Sequence, residues 1–165
     1  MDSFKTSYIL TKDEMLYLLS SLRDVRPSHP AQYIINQYLS SVAVTQGAIE
    51  GLIYKKLVNK SSEKTVLEPV IDLFVRAALS SESIWIVECS DIKSPVLIIK
   101  TRDMYLYISC YTHISDAWKV TPYQTKDVLL SELGYLNILT VTFIDKNGIR
   151  HQFNGGNNTF LEESI

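Results

Sequence analysis

The sequence predicts a domain of the α+β class, with helices in its first half and an antiparallel β-sheet in its second. The spacing of apolar residues changes from about 3.6 to about 2 residues near Ile84, which separates a mainly helical half (residues 1–80) from a mainly strand-rich half (81–165). Asn147-Gly148 lies between two β-rich runs and is a strong signal for a C-terminal hairpin. We therefore expect residues 1–165 to form one domain, with the helices packed on the sheet.

Composition agrees with a folded domain and argues against a polyanion as partner. Hydrophobic residues make up 46% of the 165 residues and charged residues 21%, which is ordinary globular usage. The net charge of −2 and the isoelectric point near 5.9 give no overall attraction for nucleic acid, which is not expected as a partner.

The cellular compartment is predicted from the absence of a recognised signal peptide or membrane span and from the two cysteines. No signal peptide is recognised, and no apolar run approaches the roughly 18–20 residues of a membrane span, so a cytoplasmic location without membrane binding is expected. Cys89 and Cys110 have no metal-ligand spacing and are interpreted as reduced thiols in strands, with a cross-strand disulfide as the alternative.

Four helices are predicted in the first half. Thr11-Lys-Asp-Glu14 is a capping box, and the first helix is expected to end near Asp24. Helices are also expected from Pro30, over about 45–57 and from Pro69. The predicted apolar faces are Met15, Leu18, Leu19 and Leu22 on the first helix; Tyr33, Ile34, Tyr38 and Leu39 on the second; and Val70, Ile71, Phe74, Ala77 and Ala78 on the fourth.

The second half is predicted to be an antiparallel meander followed by a helix and a hairpin. Strands are expected at 84–89, 96–100 and 104–111, with a weaker one within 117–121. Thr125 is expected to cap a short helix over 126–133, and the hairpin strands are placed at 138–145 and 149–153.

Residues 45–68 read as a helix, a short strand and a polar tip, after which Thr65–Pro69 opens another helix. This order is the outline of a winged-helix-like unit, which binds either DNA or protein. Lys55, Lys56, Lys60 and Lys64, less Glu63, give this wing a local charge of +3. The helix before it offers only Thr45 and Gln46 to read base edges, so a transcription regulator is the alternative and a protein-binding module the preferred interpretation.

The strand at 104–111 carries the other candidate surface. Its even positions are apolar, whereas Tyr105, Tyr107 and Tyr111 share the opposite side, here called the tyrosine face. Tyrosine is enriched at protein interfaces because it combines a large apolar ring with a polar tip. The alternative is that these rings lie under the chain's own helix 126–133 or its hairpin.

Residues that could carry catalysis, a cofactor or a metal are not recognised. His29, His113 and His151 fall in separate predicted elements and have no paired spacing for a metal. Neither a nucleophile-elbow pattern nor a phosphate-binding loop occurs, so a non-enzyme without cofactors is expected.

Taken in order, these patterns resemble the EspG family of type VII secretion chaperones. The similarity rests on Leu10–Leu19 (LTKDEMLYLL), Gly51–Val58 (GLIYKKLV), Leu67–Leu79 (LEPVIDLFVRAAL) and Thr125–Leu136 (TKDVLLSELGYL), and it covers about residues 8–136. The resemblance implies a cytosolic chaperone that binds a secreted helical protein without catalysis. This chain is much shorter, as though it were one of two pseudo-symmetric halves, so dimerisation could supply a second lobe.

The expected function is therefore a non-catalytic, cytoplasmic protein-binding adaptor or chaperone. Its partner would be a secreted or secretion-associated protein, and a homodimer is one expected form. The candidate partner-binding residues are Tyr105, Tyr107 and Tyr111 on the tyrosine face and Lys60 and Lys64 on the wing.

Overall fold

The structure is a computed structural model that describes residues 7–20, 30–62, 64–81, 83–111, 117–154 and 162–165. Its elements, in chain order, are β1 (Tyr8–Thr11), α1 (Lys12–Ser20), α2 (Pro30–Ile34) with a π-helical continuation (Ile35–Leu39), α3 (Gln46–Tyr54), β2 (Val58–Lys60), β3 (Thr65–Leu67), α4 (Pro69–Ser80), β4 (Ile84–Cys89), β5 (Val96–Lys100), β6 (Tyr105–Cys110), β7 (Ala117–Tyr123), α5 (Lys126–Leu133), β8 (Ile138–Ile144) and β9 (Arg150–Asn154). The predicted α+β class is confirmed.

The main sheet has seven strands in the order β1-β7-β6-β5-β4-β8-β9, and every neighbouring pair is antiparallel. Strands β4 to β7 form the meander that the second half of the sequence predicts. Strand β1 comes from the first half and pairs with β7, with Tyr8 opposite Val120. The two halves therefore share one sheet. A separate two-stranded sheet, β2–β3, lies between α3 and α4 in the sequence.

One face of the main sheet packs against helices α1 to α4. Alternate strand residues point to this face because side chains change sides at each step along a strand. The buried strand members are Leu10, Ile84, Ile86, Leu97, Ile99, Leu106, Ile108, Trp118 and Val120, and the helical members include Met15, Leu18, Leu19, Ile34, Leu39, Leu52, Ile71, Phe74 and Val75. We call this the helix-side core.

The opposite face carries a second, smaller core under α5. Leu129 and Leu133 of α5 are buried against it. The strand members of this α5-side core are Trp85, Val87, Cys89, Val96, Ile98, Tyr123 and Val141. Both Cys89 and Cys110 are free thiols. The sheet is thus covered on both faces, by helices of different parts of the chain.

The capping box at the start of α1 is present. The Thr11 backbone N–H donates to Glu14 Oε2 at 2.9 Å, and the Glu14 backbone N–H donates to Thr11 Oγ1 at 3.4 Å. Met15, Leu18 and Leu19 are buried, as their spacing predicts. The predicted apolar residue Leu22 and the predicted end of the helix near Asp24 lie outside the described residues.

We expect Thr11→Ala to lower the free energy of unfolding by about 1 kcal/mol, because the helix start loses the Thr11 hydroxyl, which accepts from the Glu14 N–H and donates to Asp13 Oδ1. Chemical denaturation measures the loss. Thr11→Ser keeps the hydroxyl and serves as the control, which should stay close to wild type. Equal stability of the Ala and Ser variants would contradict the capping role.

Two boundaries around β2 and β3 differ from the prediction. Helix α3 ends at Tyr54 rather than near residue 57, and Lys56 has the left-handed φ of 60° that breaks the helix before β2. Thr65–Leu67, predicted to open a helix, instead pairs with β2 as a strand, and the helix begins only at Pro69. The side chain of Glu68 caps α4 by accepting from the N–H groups of Val70 and Ile71.

Candidate functional site

A cleft of about 650 Å³ opens beside the two-stranded sheet. It lies between β3, α4 and the C-terminal part of α1. The residues that line it are Tyr17, Lys64, Thr65, Val66, Leu67, Asp72, Val75 and Arg76. All three residues of β3 line this cleft and none of β2 does, so the cleft follows the outer edge of β3. We call it the β3 cleft.

The hydrogen bonds of the two-stranded sheet show which backbone groups point into this edge. The Ser61 N–H donates to Lys64 O, and the Glu68 N–H donates to Leu57 O, each at 2.9 Å. Hydrogen-bonded pairs alternate along an antiparallel ladder, so the bonded pair between these two is Asn59 with Val66. The N–H and C=O groups of Thr65 and Leu67 therefore point away from β2.

The outward N–H and C=O groups of Thr65 and Leu67 have no backbone hydrogen-bond partner in the part of the chain that the structure describes. A strand edge of this kind is a template for another extended chain. The open edge of β3 is the main chemical feature of the cleft.

The side chains around the cleft combine apolar and charged groups. Val66 is 50% exposed and gives the cleft an apolar side chain at its surface. Arg76 Nε lies 2.8 Å from Asp72 Oδ2, so these two charges neutralise each other. Lys64 is exposed and adds a positive charge at the rim. An apolar side chain with an acidic neighbour would complement this lining.

The structure divides the four lysines of the predicted wing. Lys64 lines the β3 cleft, and Lys60 is exposed at the end of β2. Lys55 instead points back to α1, where its Nζ lies 2.6 Å from Glu14 Oε2. That lysine is already neutralised within the fold, which lowers the charge that the wing can offer to a phosphate backbone.

Helix α3, which would read DNA in the alternative interpretation, has a side-chain contact within itself. The Gln46 side-chain amide donates to Glu50 Oε1 at 3.3 Å on the exposed side of α3. Glu50 is exposed and would repel phosphates. Both features reduce the capacity of α3 to contact a phosphate backbone.

The tyrosine face lies on the other side of the molecule from the β3 cleft. Tyr105 and Tyr107 pack against the α5-side core, and both are half-buried. The rings of Tyr107 and Tyr123 meet edge to face, with centroids 5.9 Å apart. Burial raises the pKa of Tyr107 to about 12.

Tyr111 is half-buried just beyond the end of β6, where its N–H donates to Ala117 O. The predicted alternation of β6 is therefore correct: Leu106 and Ile108 lie in the helix-side core and the tyrosines at 105 and 107 lie opposite. The structure brings these two tyrosines together and separates them from Lys60 and Lys64. Their role in partner binding stays a prediction.

Other groups with chemical potential are few among the described residues. His151 Nε2 lies 3.1 Å from Asp145 Oδ2 in the turn region of β8 and β9. Within the described ranges no three His, Cys, Asp or Glu side chains are arranged to hold a metal ion. His29 and His113 lie outside those ranges. None of the described helices is long and apolar enough to cross a membrane.

Most of the cleft residues were not predicted as functional. Tyr17, Val75 and Arg76 belong to two different helices, and only tertiary packing brings them to β3. One signal was present in the sequence: Thr65-Val66-Leu67 is a short β-prone run that ends just before a helix-starting proline.

Comparison with known proteins shows neither a family model nor a curated protein that matches this chain. The resemblance to the EspG family is therefore carried by the sequence patterns alone.

Proposed function

We propose that this chain is a non-catalytic protein-binding adaptor or chaperone that holds an extended segment of its partner along the outer edge of β3. The observation that carries the proposal is the open edge itself, where the outward backbone groups of Thr65 and Leu67 border a cleft of about 650 Å³. Strand addition is a common mode of peptide recognition, in which backbone hydrogen bonds give affinity and side-chain pockets give specificity.

The lining of the cleft indicates the chemistry of the segment. Successive side chains of an added strand would lie beside Val66 on one face of β3 and beside Leu67 on the other, and both neighbours favour apolar residues. Lys64 favours an acidic residue beside them. Backbone pairing depends little on sequence, which suits a chaperone that accepts a class of partners.

The resemblance to the EspG family makes a secreted or secretion-associated protein in the cytoplasm the partner class of this proposal. Substrates of that family are helical, so the segment held on β3 would be an extended stretch beside such helices. The winged-helix-like outline fits this use, because the two-stranded sheet between α3 and α4 would present the binding edge. A homodimer would provide two such edges.

The competing proposal is a transcription regulator that uses the same two-stranded sheet on DNA. Binding to a defined duplex at physiological salt, weakened by Lys60→Glu and Lys64→Glu, would favour it. Three observations support the adaptor instead: the net charge is −2, Lys55 is paired with Glu14, and Gln46 is hydrogen-bonded to Glu50.

We expect Thr65→Pro to weaken partner binding about tenfold or more. Proline removes the outward N–H and places its ring at the edge of β3. The partner then loses one hydrogen bond and keeps an unpaired carbonyl oxygen, which costs about 1.4 kcal/mol of binding free energy. The β2–β3 ladder should persist, because the Thr65 N–H does not bond to β2. Thr65→Ala is the matched control, since it removes the same side chain and keeps the N–H.

The measurement has two steps. Affinity capture from the native cells with the wild-type chain, followed by mass spectrometry, identifies the partner. Titration calorimetry then compares its affinity for the wild-type, Thr65→Pro and Thr65→Ala chains. Equal affinity of the Pro and Ala variants, with both folded, would exclude strand addition at β3.

A further inference from the structure

Residues 162–165 form a short segment that docks on the α5 side of the sheet. The Ile165 side chain is only 5% exposed and belongs to the α5-side core, together with Trp85 and Tyr123. Glu162 and Glu163, by contrast, are exposed. The segment thus inserts one apolar side chain and leaves an acidic pair at the surface.

Three side chains of the sheet and of α5 hold the backbone of this segment. Lys100 Nζ donates to the Ile165 carbonyl oxygen at 3.1 Å, and the Tyr105 hydroxyl approaches the same oxygen at 3.5 Å. Lys126 Nζ donates to the Glu162 carbonyl oxygen. These contacts are made to main-chain oxygens, so another segment with an apolar residue in the place of Ile165 could make them too.

The fit of the segment is incomplete. The Ser164 hydroxyl is buried and has no hydrogen-bond partner among the residues that the structure describes. Buried polar groups are normally paired, because an unpaired one has lost its water without compensation. A ligand with an apolar side chain in the place of Ser164 would avoid this cost and would bind better than residues 162–165 do.

We propose that the surface formed by Lys100, Tyr105 and Lys126 is a second protein-binding site and that residues 162–165 occupy it as a built-in competitor. Its ligand is an acidic segment of a partner protein with an apolar residue that replaces Ile165. The basic rim of Lys100 and Lys126 selects the acidic residues, and the α5-side core accepts the apolar one. This site is separate from the β3 cleft and does not depend on it.

The probe is a fluorescein-labelled peptide with the sequence of residues 159–165 (TFLEESI), and its binding to the full chain is followed by fluorescence anisotropy. The test variant is Ile165→Ser, which weakens the built-in competitor. Leu139→Ser is the matched control, because Leu139 is an exposed apolar residue of β8. Cooperative thermal unfolding verifies that each variant is folded.

We expect the peptide to bind the Ile165→Ser chain at least about tenfold more tightly than the wild-type or Leu139→Ser chain, because a tethered competitor acts at an effective concentration in the millimolar range. Adding Lys100→Met to the Ile165→Ser chain should weaken binding again. A peptide that ends in serine instead of isoleucine should not bind.

Three results would overturn the proposal. If Ile165→Ser prevented folding, Ile165 would be an integral core residue rather than a displaceable ligand. No binding to a folded Ile165→Ser chain, or equal binding to all three chains, would exclude a competed site. Thr65→Pro should leave the peptide affinity unchanged. A failure of this second-site proposal can therefore be distinguished from a failure of the proposed function at the β3 cleft.

Discussion

Replacing Leu19 by alanine is expected to lower the free energy of unfolding by about 2–5 kcal/mol, a typical cost of emptying a fully buried leucine site. Leu19 has 0% exposure and lies in the helix-side core with Leu18 and Met15. Helix α1 packs against α3 and α4, so a cavity here would be lined by several elements that cannot all move inward together. The cost should therefore exceed that of losing the helix cap at Thr11.

Urea denaturation followed by circular dichroism measures this loss. Leu139→Ala makes the same chemical change at a side chain that is 54% exposed on β8, and it should alter stability far less. Similar, small effects at both positions would mean that α1 does not pack on the sheet as described.

Helices that begin with a capping residue or a proline could be predicted from the sequence near their first residue. Helix α5 spans Lys126–Leu133 as expected, because Thr125 caps it by accepting from the Val128 N–H. Pro30 and Pro69 begin α2 and α4 for the same kind of reason, since proline fits the first turn of a helix. These features depend on neighbouring residues and can be read from a short window.

Features that depend on distant partners were predicted less well. Thr65–Leu67 is a strand because β2 pairs with it, which overrides the expectation of a helix start. Strand β7 continues to Tyr123, two residues beyond the predicted end and through Pro122. Its pairing with β1 ends at Val120, so none of the described strands pairs with that side of β7 at the proline.

The candidate sites illustrate the same limit. The alternation of β6 placed Tyr105 and Tyr107 on one side correctly, but it gave no information on what covers them. The cover comes from α5 and from residues 162–165, which are distant in sequence. Likewise, Lys64 was recognised as a surface charge, whereas the cleft it borders exists only once α1, β3 and α4 are packed.

The link between α1 and α3 is the second place where a large effect is expected. Glu14 is only 3% exposed, and Lys55 Nζ contacts both of its carboxylate oxygens, at 2.6 and 2.9 Å. Lys55 also donates to the Ile9 carbonyl oxygen of β1 at 3.1 Å. The ion pair therefore joins the first strand, the first helix and the end of α3.

This link accounts for a glycine that the helix would otherwise not favour. A Cβ atom on Gly51 would lie 2.6 Å from Glu14 Oε1, closer than any side chain tolerates. Glycine weakens a helix interior by about 1 kcal/mol relative to alanine. Its presence here lets α3 approach the buried carboxylate and brings Lys55, one turn later, into reach.

We expect Lys55→Met to lower the free energy of unfolding by about 2–3 kcal/mol. Removing one partner of a buried ion pair leaves the other charge desolvated, which costs about 3–5 kcal/mol when both are buried. The Lys55 side chain is 34% exposed, so water can partly solvate Glu14 after the change and the cost is smaller. Lys56→Met, at the exposed neighbouring lysine, is the control and should be nearly neutral.

A double-mutant cycle tests whether the loss arises from the pair itself. Once Glu14 is replaced by Gln, the buried negative charge is gone, and Lys55→Met should then cost much less than in the wild-type chain. Chemical denaturation of the four chains gives the coupling energy directly. Additive effects of the two changes would mean that Lys55 stabilises the fold through its bond to Ile9 or its packing, and that the charge of Glu14 is compensated in another way.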